Sequence, residues 1–285
     1  MTDELRWYLL SRKKSEASIV EAFAGFRRAG IEPVLIKGWA AALNYPDDKP
    51  RFFGDIDLAV SAADFARASE LVNSPDPEIT GIDLHRELRH LDTVDWNISF
   101  ANSQLVSIED EPIRILSAED HLRVMCVHWL TDGAESKDRL WDIYYAVENR
   151  PISFDWEKCL GVVEPHRRGW IIATIGLAHR YLGLKIDDLP FADEARVLPG
   201  WLTRCVERGW SNAEPQRPLH TSMKDARLFV RQLRKRVPPN PIQATIDCEA
   251  AFDDRSRAGY QLRDVFIRLK PSIPRIVSTV FKKLR

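Results

Sequence analysis

The stretch RFFGDIDLAV, residues 51–60, sets two aspartates two positions apart in an otherwise apolar run. On a strand, successive side chains alternate between faces, so Asp55 and Asp57 share one face while Ile56 and Leu58 share the other. Like charges side by side cost free energy unless a cation or another partner stands between them. The pattern recurs in GIDLHREL, where Asp83 and His85 are also two apart. If the two strands are neighbours, Asp55, Asp57 and Asp83 converge at one sheet edge. Three carboxylates there make a hard, oxygen-rich site that suits Mg2+ better than zinc. Two such metals would clamp a triphosphate, and the third carboxylate would help deprotonate an acceptor hydroxyl. Transfer of this kind rests on positioning and charge neutralisation, so a Lys and an Arg belong nearby. Lys37 and Arg51 are the candidates, and Gly38 would let the backbone approach a phosphate closely.

Each of these residues also has a plainer reading. Asp55 and Asp57 could form a solvated strand face, and Asp83 an exposed strand carboxylate. Lys37 could pair with one of these aspartates, a role compatible with binding. His85 reads more readily as a satisfied strand histidine than as a base. His121 and His128, seven apart on one helix, read as packing or surface residues and not as ligands of one metal. Asp142, polar among the aromatics of RLWDIYY, reads as a salt-bridge partner or as a residue that orients a group of the site.

These side chains need a scaffold. SEASIVEAFAGFRRAG repeats apolar residues at helical spacing and ends at Gly30, a C′ stop. IEPVLIKG follows as a short buried strand, WAAALN as a helical turn or two, and YPDDKPR as a loop. GDIDLAV is the next strand. SAADFARASELVN reads as a helix with a capping box at Ser61 and Asp64, closed by the break PDPE, with GIDLHREL as the strand after it. VDWNISF and the pair LVSIE/EPIRIL read as further short strands. LSAEDHLRVMCVHWLTDG opens on a second box, Ser117 and Asp120, and runs as a helix to Gly133. From there the pattern is helical, through RLWDIYYAVENR, EPHRRGWIIATIGLAHRYLG, ARVLPGWLTRCVERG and MKDARLFVRQLRKR to the tail. The expected architecture is α+β, a small mixed sheet flanked by helices and then an all-helical half, dividing near residue 116.

Composition sets outer bounds. The chain has 285 residues, 45% hydrophobic and 29% charged, as in an ordinary globular protein. The four cysteines (Cys126, Cys159, Cys205, Cys248) show no metal-ligand spacing, which points to free thiols and a cytoplasmic setting. No signal peptide is read at the N-terminus, and no apolar run approaches the roughly 20 residues of a membrane span. Residues 221–285 carry a net charge of +9 against −10 for the remainder. Such asymmetry suits an anionic partner, RNA among them, or a basic face docked on the acidic half.

Taken together, LIKGWAAALNYPDDKPRFFGDIDLAV and GIDLHREL resemble the signature of the uncharacterised bacterial nucleotidyltransferase family. That family is a branch of the DNA polymerase beta-like nucleotidyltransferase superfamily. The resemblance is good over roughly residues 15–150, and this chain has Gly38-Trp39 where the wider superfamily has Gly-Gly or Gly-Ser. It implies a nucleotidyltransferase-type sheet in residues 1–116, with residues 117–285 as a helical region for acceptor binding or packing. It further implies Asp55, Asp57 and Asp83 as metal ligands and catalytic carboxylates, with Asp92 or Asp95 as alternatives for the third position. Lys37, Gly38, Arg51 and His85 would line the nucleotide site. The implied activity is Mg2+-dependent transfer of NMP from an NTP to a hydroxyl or phosphate acceptor on a small molecule, peptide or glycan precursor. The alternatives are a non-catalytic nucleotide-binding accessory protein of a biosynthetic pathway, or a toxin-like transferase that modifies tRNA or protein.

Overall fold

Helix Asp3–Arg28 (α1) ends where Gly30, at φ 70°, turns the chain into the two-residue strand Val34–Leu35 (β1). The computed structural model describes residues 3–73, 81–211, 227–228, 231, 236–254 and 256–267. After the single turn Trp39–Ala42 (α2) and a loop come strand Ile56–Val60 (β2), helix Phe65–Val72 (α3) and strand Ile82–Arg86 (β3). Helix Trp96–Asn102 (α4) and the hairpin of Gln104–Ile108 (β4) with Glu111–Ile115 (β5) complete the sheet region. The strands lie in the order β3-β2-β1-β5-β4, with β1/β5 and β2/β3 parallel and β1/β2 and β4/β5 antiparallel.

Alternation along β2 decides what each face of the sheet does. Ile56, Leu58 and Val60 pack with Ile19, Phe23 and Phe26 of α1 and Ala68 of α3. Val34, Ile36 and Ala59 belong to the opposite core, shared with helices Ala118–Thr131 (α5), Leu140–Glu148 (α6) and Pro165–Leu182 (α8). Asp57, between Ile56 and Leu58, therefore faces the helical side. Helices Trp156–Leu160 (α7), Ala192–Arg196 (α9) and Gly200–Ser211 (α10) extend that side, as does the short helix Pro241–Asp247. The mixed sheet with flanking helices and the helical C-terminal half match the expected α+β class.

Three local expectations change. VDWNISF is not a strand but α4: Asp95 accepts from the Asn97 amide as N-cap, and Trp96 and Ser99, three apart, are the buried positions. Helical capping and a period of three override the β-rich composition. The Ser61–Asp64 box forms, with the Asp64 amide donating to Ser61 Oγ at 3.1 Å, but the helix begins after it, at Phe65. The first helix begins at Asp3, well before Ser15. Ser117, in contrast, caps α5 as read, accepting from the Asp120 amide. The break PDPE and the tail beyond Ile267 lie outside the described residues. So does most of MKDARLFVRQLRKR, and with it the greater part of the basic segment. None of the four cysteines forms a disulfide. Among the described residues, no helix is long and apolar enough to cross a membrane.

One buried ion cluster ties the sheet side to the helical side. Arg123 of α5, 1% exposed, donates Nε to Asp92 Oδ2 at 2.9 Å, a second nitrogen to Asp120, and a third to the Lys158 carbonyl at 2.9 Å. Removing the guanidinium would leave two buried carboxylates uncompensated, at a cost of about 3–5 kcal/mol. Urea unfolding of Arg123→Ala should show a loss of that size, and a loss below about 1 kcal/mol would contradict this account of the cluster.

Candidate active site

Strand register assembles the site. Parallel β2 and β3 pair Asp57 with Asp83 directly, and Ala59 with His85, so both carboxylates and the imidazole share one face. On the other side of β2, the antiparallel pairing of Val34 with Ala59 and Leu35 with Leu58 continues as Ile36 N donating to the Asp57 carbonyl at 3.1 Å. The next residue, Lys37, leaves the strand beside Asp57. Its Nζ lies 2.7 Å from Asp57 Oδ1. His85 Nε2 lies 3.3 Å from the same oxygen and 3.2 Å from Asp83 Oδ2, which makes it the donor between the carboxylates. One ligand atom each of Asp57, Asp83 and His85 lies within 4.8 Å of the others.

Environment separates the two carboxylates. Asp57 is buried, whereas the Asp83 side chain is 57% exposed. Burial pushes the Asp57 carboxyl up, but the His85 hydrogen bond and the Lys37 ammonium outweigh it and draw it down to about 2. Asp55 sits one residue before β2, exposed at the mouth of the same cleft and outside the Asp57–Asp83–His85 cluster. Asp92 is held by Arg123, and Asp95 caps α4, so neither faces Asp57.

The turn after β1 is shaped by glycine. Gly38 adopts φ 57° and ψ −110°, and a Cβ there would stand 3.1 Å from the Asp55 carbonyl oxygen. Trp39 is buried, and its indole Nε1 donates to Glu16 Oε1 at 2.9 Å, so it anchors the turn to α1. Arg51 closes the loop over this turn. It donates Nε and a terminal nitrogen to the two oxygens of Asp142 at 2.5 and 2.7 Å, and its other terminal nitrogen to the Gly38 carbonyl at 3.1 Å. Tyr45 adds its hydroxyl to Asp142 at 2.6 Å, and burial and that carboxylate push its phenol far up, leaving it a proton donor. Three of the five guanidinium N–H groups are thereby used, and Arg51 lines the cleft.

The cleft has a volume of about 720 Å³ and lies between the sheet edge and helices α5 and α6. Six aspartates line it, Asp55, Asp57 and Asp83 from the sheet side and Asp132, Asp138 and Asp142 from the helical side, against the basic residues Lys37, Arg51 and Arg139. Such an excess of carboxylates repels a polyphosphate unless cations accompany it. His128, read from sequence as packing or surface, also lines this cleft, with Nε2 3.4 Å from Lys37 Nζ. Burial and the Lys37 charge lower its imidazole to about 4. The spacing of seven sets it apart from His121, and only the tertiary fold shows that His128 reaches the cleft while His121 is buried.

Two in-register carboxylates beside an imidazole fit a divalent cation, with Asp57 and Asp83 as the residues that would hold it and His85 next to them.

Two outcomes follow from this geometry. Gly38→Ala should lower stability by about 1–3 kcal/mol through backbone strain and crowding at Asp55, and an unchanged urea midpoint would contradict it. The second concerns acid. A folded value near 2, below the ordinary 3.8, stabilises the fold above about pH 4, and that stabilisation is lost as pH falls through the folded value. In chelator-treated buffer, the stability gap between wild type and Asp57→Asn should therefore shift by about 2 kcal/mol between about pH 5 and about pH 2. Parallel pH curves would contradict the depressed value.

Comparison with known proteins adds a family. Residues 10–76 match the family described as uncharacterised nucleotidyltransferase. No curated protein matches the sequence. A solved structure, an antigenic nucleotidyltransferase-like protein from Paracoccidioides brasiliensis, aligns with a TM-score of 0.45 and 15% identity, covering 67% of this chain and 96% of that one. A likeness that slight carries no argument. Lys37, Gly38, Arg51, Asp55 and Asp57 all lie inside the segment that is similar to this nucleotidyltransferase family.

Proposed function

We propose that the protein is a Mg2+-dependent nucleotidyltransferase that moves NMP from an NTP to a hydroxyl or phosphate acceptor. The observation that carries this reading is the in-register Asp57–Asp83 pair at the edge of a cleft whose carboxylates outnumber its basic side chains. A bound divalent cation supplies charge neutralisation and polarisation at the α-phosphate. The chain's own residues supply the rest. Arg51, fixed by Asp142 and Tyr45, offers its remaining N–H groups to a phosphate oxygen without reorganising. Lys37 provides a second positive charge on the same side. Asp83, more exposed than Asp57, would take the proton of an acceptor hydroxyl. In that step the acceptor oxygen bonds to the α-phosphorus, the bond from that phosphorus to the bridging oxygen breaks, and pyrophosphate leaves.

Residues 1–116 form the catalytic core in this proposal, and residues 117–285 contribute the acceptor side of the cleft through α5 and α6. The unpaired thiols are compatible with a cytoplasmic site of action. A second reading, nucleotide binding without turnover, is favoured by one feature: Lys37 already neutralises Asp57. Incubation with each labelled NTP and Mg2+, together with candidate hydroxyl acceptors, separates the two. Turnover should fall at least about 10³-fold in Asp57→Asn and in Asp83→Asn, on the order of 4 kcal/mol of transition-state stabilisation. NTP binding with no turnover by wild type in any combination would favour the second reading, and turnover that survives Asp57→Asn would sink the first.

A further inference from the structure

We infer that Lys37 is a displaceable counter-cation of the metal-free site, and that His128 is the positioning residue that receives its ammonium when a divalent ion arrives. This rests on the reading of Asp57 and Asp83 as metal ligands.

Asp57 Oδ1 is shared by Lys37 Nζ at 2.7 Å and His85 Nε2 at 3.3 Å. A divalent ion held by that carboxylate at about 2 Å would stand within a carboxylate's width of the ammonium. Two cations at that separation in a largely buried site repel strongly. The lysine must therefore withdraw, and its stem of four methylenes allows this while its backbone stays fixed at the end of β1. The question is where the charge can go.

One acceptor is already within reach. His128 Nε2 lies 3.4 Å from Lys37 Nζ, and among the described residues Lys37 is the donor placed against that nitrogen. The imidazole is kept neutral by burial and by the lysine itself, so its lone pair is open in the tautomer protonated on Nδ1. Beyond it, Asp132 Oδ2 lies 3.9 Å from the same Nε2, itself paired with Arg139 at 2.5 Å. A lysine that leaves Asp57 towards His128 thus moves to a neutral acceptor whose neighbouring carboxylate, Asp132, is already paired with Arg139. His128 sits in the last turn of α5, where the Asp132 amide and Thr131 Oγ1 donate to its own carbonyl at 3.1 and 2.8 Å. The ring is presented by a closed helix end rather than by a loop.

The test is Mn2+ binding to the full-length, nucleotide-free protein, followed by the electron paramagnetic resonance signal of free Mn2+. Lys37→Met should bind Mn2+ about tenfold more tightly than wild type, because the competing cation is gone. His128→Phe should bind it about three- to tenfold more weakly, because the lysine has lost its acceptor, whereas His128→Gln, which keeps an acceptor oxygen, should stay close to wild type. In the Lys37→Met background, His128→Phe should change nothing, a coupling that a merely structural histidine would not show. Lys37→Met binding no more tightly than wild type, or a His128→Phe effect that persists without Lys37, would overturn the inference while leaving the metal-site reading intact. Failure of both wild type and Lys37→Met to bind Mn2+ would overturn both. If Lys37→Met does not fold, the His128 pair decides: equal Mn2+ affinity of His128→Phe and wild type overturns the proposal.

Discussion

Two carboxylates brought face to face across a parallel strand pair impose a constraint that the surrounding structure answers. The β2/β3 register sets Asp57 against Asp83: a slip of β3 by one residue would turn Asp83 and His85 to the face packed on α1. Facing charges at the end of a buried sheet need cations or hydrogen-bond donors. The antiparallel β1 supplies Lys37 at the matching level, and β3 supplies His85 from two residues beyond Asp83. Lys37, Gly38 and the short α2 are thus consequences of where β1 must stop.

The same constraint explains why a helical region stands against the sheet at this end. The cleft is bounded on one side by strand ends and on the other by α5 and α6, so neither region forms it alone. Asp142 of α6 reaches across the seam to fix Arg51, and through it the Gly38 carbonyl. That bidentate pair holds a loop whose own sequence, with two prolines and two aspartates, encodes little regular structure. The guanidinium arrives already oriented, which lowers the entropy lost when an anion binds. Deeper in the core, the Arg123 cluster fixes how α5 meets the loop after β3. It stabilises the seam without facing the cleft.

Much of this was legible in local sequence, because alternation and capping are local physics. The strands around Asp57 and Asp83, the Ser117 cap of α5 and helices α6 and α8 follow from periods of two and 3.6. ARVLPGWLTRCVERG, read as one helix, is instead split between α9 and α10 around Pro199. VDWNISF misled because its aromatic and β-branched content suits a strand, while the Asp95 cap and the burial of Trp96 and Ser99 make a helix. The choice among Asp83, Asp92 and Asp95 was not a sequence question. It depends on a register and on Arg123, 31 residues from Asp92 in the chain. His128 stayed hidden for a related reason: its partner Lys37 is 91 residues away. Trp39, the residue after Gly38, became intelligible only through its bond to Glu16.

On the proposed reading, the Asp57–Asp83 pair would hold a divalent cation at the place where Lys37 stands against Asp57 in the free protein. Anomalous diffraction from a crystal soaked in Mn2+ addresses it most directly. The expected result is a peak beside Asp57 and Asp83, with Lys37 Nζ drawn away from Asp57 relative to the metal-free crystal. A peak elsewhere in the cleft, or none with Lys37 still on Asp57 at saturating Mn2+, would contradict it.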